Sequence, residues 1–125
     1  MGFIPDLEKA DWWHEVGFAY SKSIPESFSA IMIGWLGNTI PSSGEIPGEF
    51  LKRLEWAYEH RAIDEGWLGE HECEICNSCA DSGEILIVDG HKMYVAPKMI
   101  LHYVKDHSYL PPEEFMEAVE KMKVM

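Results

Sequence analysis

Apolar positions along the chain follow two different spacings, and each predicts its own kind of element. Ala30-Ile-Met-Ile-Gly-Trp-Leu36 is an unbroken apolar run closed by Gly37-Asn38. Its shortness and β-branched content predict a strand buried on both faces, at the centre of a sheet. Glu84-Ile-Leu-Ile-Val88 and His91-Lys-Met-Tyr-Val95 flank Asp89-Gly90. That dipeptide predicts a hairpin with a type I′ turn, in which both central residues take positive φ.

Helical spacing takes over elsewhere. Phe50, Leu54, Ala57 and Tyr58 recur at i, i+4, i+7 and i+8, predicting a helix over 47–63. Pro47 suits its first turn, Glu49 complements the positive end of its dipole, and Gly66 supplies a stop. A second helix is expected to open at Pro97, with Ile100, Leu101 and Val104 inward, until Ser108-Tyr-Leu-Pro-Pro112 breaks it. A third is expected over 112–122 on the stripe Phe115, Val119 and Met122, with Glu113 and Glu114 at its start and Lys121 and Lys123 at its end. Residues 1–30 carry no clear period. Asp11-Trp-Trp-His-Glu15 fits either the start of a short helix or aromatics draped over the core, and Ser23-Ile-Pro-Glu-Ser27 reads as a connection.

Together these elements predict an α+β fold: a small antiparallel sheet with a β-hairpin, flanked by about three helices. At 125 residues, one domain over 1–125 is expected, with a zinc-finger-like ββα core over 68–110 and an irregular N-terminal segment over 1–30. Hydrophobic content of 46% and charged content of 26% fit a chain that buries a core. Five Trp exceed what such a core needs, so a surplus is available for a contact surface.

Charge narrows the partners. The formal net charge is −12 and both halves share it: residues 1–70 carry 5 basic and 12 acidic side chains, residues 71–125 carry 5 and 10. This field repels phosphate backbones, and no basic stripe offsets it, so nucleic acid is disfavoured. A basic protein partner suits it better. No apolar run has the roughly 20 residues of a membrane span. Met1-Gly-Phe-Ile-Pro-Asp6 lacks the features of a secretory leader, so a cytoplasmic protein is expected.

The chemistry concentrates between Cys73 and His107. Three cysteines, Cys73, Cys76 and Cys79, form an odd cluster, a poor disulfide framework and a better metal site. Cys73-Glu-Ile-Cys76 forms one ligand pair and His102 with His107 a second, and two thiolates with two imidazoles suit tetrahedral Zn²⁺. The 25 residues between Cys76 and His102 leave room for a full hairpin. One geometric demand follows. Residues five apart point roughly 140° apart around an ideal helix, so His102 and His107 can share an ion only if the last turn tightens or unwinds. His71 and Cys79 are the rival ligands.

Four such ligands close the tetrahedron, so the metal is expected to be structural. If His107 stood outside, the site would be open, and Glu72 or Glu74 could serve as a base. A redox role for Cys73 and Cys76 would want a strand before them and a helix starting at them, whereas turns lie on both sides. A ββα nuclease built on Asp89-Gly90-His91 lacks a second ligand near His91. His14 and His60 read as exposed or satisfied. No G-x-S-x-G, Walker, G-x-G-x-x-G or H-E-x-x-H motif occurs. The favoured reading is a small acidic zinc domain acting as a non-enzymatic protein-interaction module of the immunity, inhibitor or adaptor kind. A metal- or thiol-dependent enzyme with an open site is the first alternative, and a nucleic-acid-binding finger the second.

A resemblance supports the metal reading. Phe3-Ile-Pro-Asp-Leu7, Gly34-Trp-Leu36 and Ile46-Pro-Gly-Glu-Phe-Leu51 resemble a family of small uncharacterised bacterial proteins. His71-Glu-Cys-Glu-Ile-Cys76, Gly83-Glu84, Tyr94-Val-Ala-Pro97, His102-Tyr-Val104, His107, Tyr109-Leu-Pro-Pro112 and Phe115 extend the likeness in the same order. The family's C-x2-C … H-Y-[IV]-x2-H pattern falls on Cys73, Cys76, His102 and His107. The stretch from Trp12 to Ser29 departs from it in length and content. The resemblance implies a zinc-type domain and no particular activity.

Overall fold

A computed structural model describes residues 4–9, 29–63 and 70–122. Alternation along β7 (Lys92–Pro97) shows how the molecule is layered. Tyr94 and Ala96 face one way, into a cluster with Ile31, Ile33, Ile85 and Ile87. Met93 and Val95 face the other way, into a second cluster with Ala30, Met32, Ile4 and Trp35. Period-2 side chains thus bury this strand on both faces.

Around β7 stand β6 (Glu84–Asp89) on one side and β2 (Ser29–Met32) on the other, with the short β1 (Glu8–Lys9) and β3 (Ala62–Ile63) at the edges. The order is β1-β2-β7-β6-β3. The sheet is mixed, because β2 runs parallel to β7 while the other pairings are antiparallel. The Ile31 strand is therefore an inner strand, and β7 holds the middle. It ends at Met32 because Gly34 turns at φ +77°, where a Cβ would meet the Ile100 side chain at 2.9 Å. A separate pair, β4 (Glu70–Glu72) and β5 (Ala80–Ser82), makes a second, two-stranded sheet that the apolar spacing did not predict.

Three helices follow the predicted stripes with shorter ends. Helix α1 (Gly48–His60) buries Phe50, Leu54 and Ala57, with Tyr58 half-buried. Its last expected residues become β3, pairing with β6 instead of extending the helix. Helix α2 (Ile100–His107) buries Ile100, Tyr103 and Val104; Pro97 ends β7 rather than opening this helix. Helix α3 (Glu113–Lys121) buries Phe115, Ala118 and Val119. All three cover one sheet face, where Phe115 meets Phe50 and Tyr94 edge-on at 6.2 and 5.7 Å. Such pairs add to the burial term that dominates folding.

The hairpin turn also differs in detail. Asp89 pairs with Lys92, so Gly90 and His91 are the central residues. Gly90 alone of the two has positive φ, at +66°. A glycine at the first central position is the type II′ pattern, which matches strand twist as well as type I′ does. The expected stop at Gly66, the segment from Asp11 to Glu15, the connection over 23–27, His14 and most of the divergent stretch from Trp12 lie outside the described residues. Among the described residues, no helix is long and apolar enough to cross a membrane.

Candidate metal centre

The β4–β5 hairpin carries the cysteines. Cys73 N–H donates to the Cys79 carbonyl at 2.9 Å, and Asn77 N–H donates back to the Cys73 carbonyl at 2.8 Å. The chain reverses at Asn77, which sits at φ +55°, a conformation Asn tolerates better than most side chains. This tight turn brings the Cys73 and Cys76 sulfurs to 3.6 Å. Cys73 is fully buried and joins the main apolar cluster, whereas Cys76 is exposed.

Helix α2 brings the imidazoles. His107 Nε2 lies 3.4 Å from Cys73 Sγ, His102 Nε2 lies 3.5 Å from Cys76 Sγ, and the two Nε2 atoms are 3.2 Å apart. All four donor atoms fall within 4.8 Å of one another, close enough to hold one metal ion. Among the described residues no other group of three or more His, Cys, Asp or Glu side chains meets that condition.

Helix α2 meets its five-residue spacing by the second expected route, an unwound last turn. The helix stays regular to His107, and its final turn widens. Tyr103 carbonyl accepts from the N–H of Ser108, five residues on, and from Tyr109 N–H at 3.1 Å. A wide turn carries residues five apart towards one face, as in a π-type turn. Ser108 at φ +53° then takes the chain away in the left-handed conformation common after helix ends.

Neighbouring groups prepare the donors. Asp106 Oδ2 lies 2.8 Å from His102 Nδ1, so the proton sits on Nδ1 and the Nε2 lone pair faces the cluster. The hydroxyl and backbone N–H of Ser78 hold the Cys76 sulfur as thiolate, with help from His107, and pull its pKa down to about 5. Burial pushes the Cys73 thiol up, partly offset by the backbone N–H groups of Cys76 and Ile75. Asp106 and Ser78 did not stand out in the sequence. Their signal was positional: a carboxylate one helical turn after His102, and a hydroxyl two residues after Cys76.

The rival ligands lie apart from this cluster. His71 is buried, with Nε2 2.7 Å from Tyr103 Oη and its ring edge-on to Trp35 at 5.6 Å. Cys79 is exposed, its sulfur 3.8 Å from Ser78 Oγ. Glu72 and Glu74, the bases of an open site, are both exposed. His60 stacks on Trp56 at 4.6 Å, and His91 is exposed in the hairpin turn. A second anchor joins the hairpin to the body, since Tyr58 Oη on α1 donates to Asp81 Oδ2 on β5 at 2.7 Å.

The chain belongs to a family described as a domain of unknown function (DUF7919), whose model matches residues 3–120. No curated protein and no solved structure matches it.

Proposed function

We propose that Cys73, Cys76, His102 and His107 bind one structural Zn²⁺, and that the domain serves as a non-enzymatic protein-interaction module. The observation that carries the metal assignment is the set of donor separations. A tetrahedral zinc with Zn–S of about 2.3 Å and Zn–N of about 2.05 Å requires edges of roughly 3.8 Å between sulfurs, 3.3 Å between nitrogens and 3.5 Å for mixed pairs. The S–S and N–N separations are 3.6 Å and 3.2 Å, two of the four mixed ones are 3.4 and 3.5 Å, and all six lie within 4.8 Å. Soft thiolates with imidazoles favour zinc over the hard cations, which take oxygen ligands.

Four protein donors fill the coordination shell, which supports a role in fold rather than in turnover. The interaction reading rests on charge. Glu113, Glu117 and Glu120 line one exposed face of α3, and Glu49, Glu55 and Glu59 are exposed on α1. These helices pack against each other, so a partner with a basic surface would meet both ridges at once.

Elemental analysis with native mass spectrometry tests the first part. One zinc per chain is expected, lost in Cys73→Ser and His107→Ala and kept in Cys79→Ser; metal retained without His107 would refute the closed shell. For the second part, a pull-down should recover a basic protein at low salt and release it as ionic strength rises. Capture that ignores salt, or that persists unchanged after Glu113, Glu117 and Glu120 are changed to Gln, would refute the acidic docking face.

A further inference from the structure

Cys79 is the one described cysteine that the donor cluster leaves out, and its position is informative. It lies three residues after Cys76, the exposed member of the cluster, and is itself exposed. One hydroxyl oxygen, Ser78 Oγ, contacts both sulfurs, 3.0 Å from Cys76 Sγ and 3.8 Å from Cys79 Sγ. Cys79 also lines an open cleft of about 270 Å³ with Glu72, Asn77, Ser78 and Ala80. The remaining thiol, Cys73, is fully buried. The hairpin thus presents two exposed thiols that share one hydroxyl contact, one a candidate metal ligand and one in reserve.

From this placement we infer that Cys76 and Cys79 form a peroxide-reactive pair whose disulfide withdraws Cys76 from the metal. The inference rests on the metal assignment for its consequence, though the thiol pairing can be read without it. The chemistry balances as follows. The Cys76 thiolate attacks one oxygen of a hydroperoxide, the O–O bond breaks, and the product alcohol or water leaves as Cys76 becomes a sulfenic acid. The Cys79 sulfur then attacks the Cys76 sulfur, the S–O bond breaks, water leaves, and the S–S bond forms. Two thiols are oxidised and one peroxide is reduced. Cys76 can no longer donate a thiolate, and three donors remain for the ion. A dithiol reductant reverses the disulfide and restores the fourth.

Cys73 is the competing partner, because its sulfur lies 3.6 Å from that of Cys76. It is disfavoured because it is buried and would itself be coordinated, whereas Cys79 needs no metal bond broken before it attacks. No Lys or Arg lies between Arg61 and Lys92, so all three cysteines share one tryptic peptide and pairing must be read by fragmentation.

The experiment treats the full, purified chain with a small excess of hydrogen peroxide, alkylates the residual thiols after denaturation, and sequences that peptide. Metal release is followed in parallel with a chromogenic chelator. The expected result is a Cys76–Cys79 disulfide with Cys73 as the alkylated thiol, metal released in step, and at least tenfold better recovery of binding after reductant than in Cys79→Ser. That variant should instead be carried by a second equivalent of peroxide to the sulfinic acid at Cys76, which the reductant does not reverse. A Cys73–Cys76 disulfide, or equal recovery in Cys79→Ser, would overturn the inference while leaving the metal assignment intact. Protein isolated without metal that still forms the Cys76–Cys79 disulfide would keep the reactive pair and refute the zinc assignment.

Discussion

The β6–β7 and β4–β5 hairpins are near neighbours in sequence, yet different forces hold them. The first pairs over six positions, from Glu84 with Pro97 to Asp89 with Lys92, and gains further strands on both sides. Its side chains reach the clusters on both sheet faces. The second pairs over three positions and, among the described residues, gains no further strand. From Cys76 to Ala80 every residue is exposed. Two isolated strands of that length are marginal in water. What fixes them is side-chain chemistry: the Cys–His cluster, the His71–Tyr103 hydrogen bond and the Tyr58–Asp81 hydrogen bond. Burial makes one hairpin part of the core, whereas the proposed ligation would make the other a clasp.

Removing the ligation should separate the two most widely. Structural zinc supplies roughly 10–16 kcal/mol of apparent binding energy in small finger peptides, far more than three strand pairs can offer. In Cys73→Ser, or in wild type after chelation, amides over 70–82 should lose their protection from hydrogen exchange while those of Ile85, Ile87 and Val95 keep theirs. Uniform loss across both hairpins would show that the clasp is integral to the core.

The reverse perturbation is Ile87→Ala. This side chain is 1% exposed in the main cluster, and truncating a buried Ile costs about 2–5 kcal/mol. Denaturant melts should show that loss for the whole fold, with metal stoichiometry unchanged in the folded protein. A fall in metal content at denaturant concentrations where the fold is intact would couple the hairpins more tightly than their contacts indicate.

Alkaline pH acts on both regions, because the phenols that anchor the second hairpin are raised as well, Tyr58 by Asp81 and Tyr103 by burial. Burial and Glu114 push the Tyr94 phenol up to about 12, while burial and Asp6 raise Tyr109 strongly. A raised folded pKa means that the neutral form is favoured by folding, so its stabilisation is full below the unfolded phenol's value of about 10 and is lost as pH climbs through the folded value. Stability should therefore fall from about pH 10 upward, with phenolate absorbance appearing together with unfolding. Ordinary titration of these phenols before any loss of structure would contradict the burial argument.

Much of the contrast was legible in the sequence. The β6–β7 hairpin announced itself by apolar runs either side of a Gly turn, because burial selects side-chain type at every position. The tetrad announced itself because thiolates and imidazoles are rarely placed in pairs without a ligand to share. The β4–β5 pairing was not legible, since Glu70–Glu72 and Ala80–Ser82 carry no apolar period and pair through backbone alone. The parallel alignment of β2 with β7 was hidden for a related reason: strand direction depends on where the chain goes between strands, which local pattern does not record. The unwound last turn of α2 was legible as a demand, since two imidazoles five residues apart point away from each other on a regular helix.

Asp106→Asn probes the clasp more gently. Its carboxylate orients His102 without being a ligand, and loss of such outer partners weakens metal binding by about 10–100-fold. Competition against a chromophoric chelator should show that decrease, and the metal-free protein should melt as the metal-free wild type does. An unchanged affinity would mean that the cluster alone fixes the imidazole.

The smallest effects should come from the two turns, where the backbone problem is similar. Gly90 at φ +66° and Asn77 at φ +55° each hold a conformation that costs most side chains energy. At Gly90 a Cβ would touch nothing, so Gly90→Ala isolates the conformational cost, about 1 kcal/mol or somewhat more. Asn77→Ala should carry a cost of similar size, about 1 kcal/mol, since Asn only tolerates what Ala resists. The difference lies in where each loss is read. Gly90→Ala should lower the global denaturation midpoint and leave metal affinity alone, because its hairpin is fastened along the strands. Asn77→Ala should leave the midpoint of the metal-free protein alone and weaken metal affinity by about fivefold to tenfold, that same cost expressed as binding. If both substitutions moved the same quantity, the two hairpins would be one cooperative unit, and the distinction between buried and ligated structure would not describe how this fold is held.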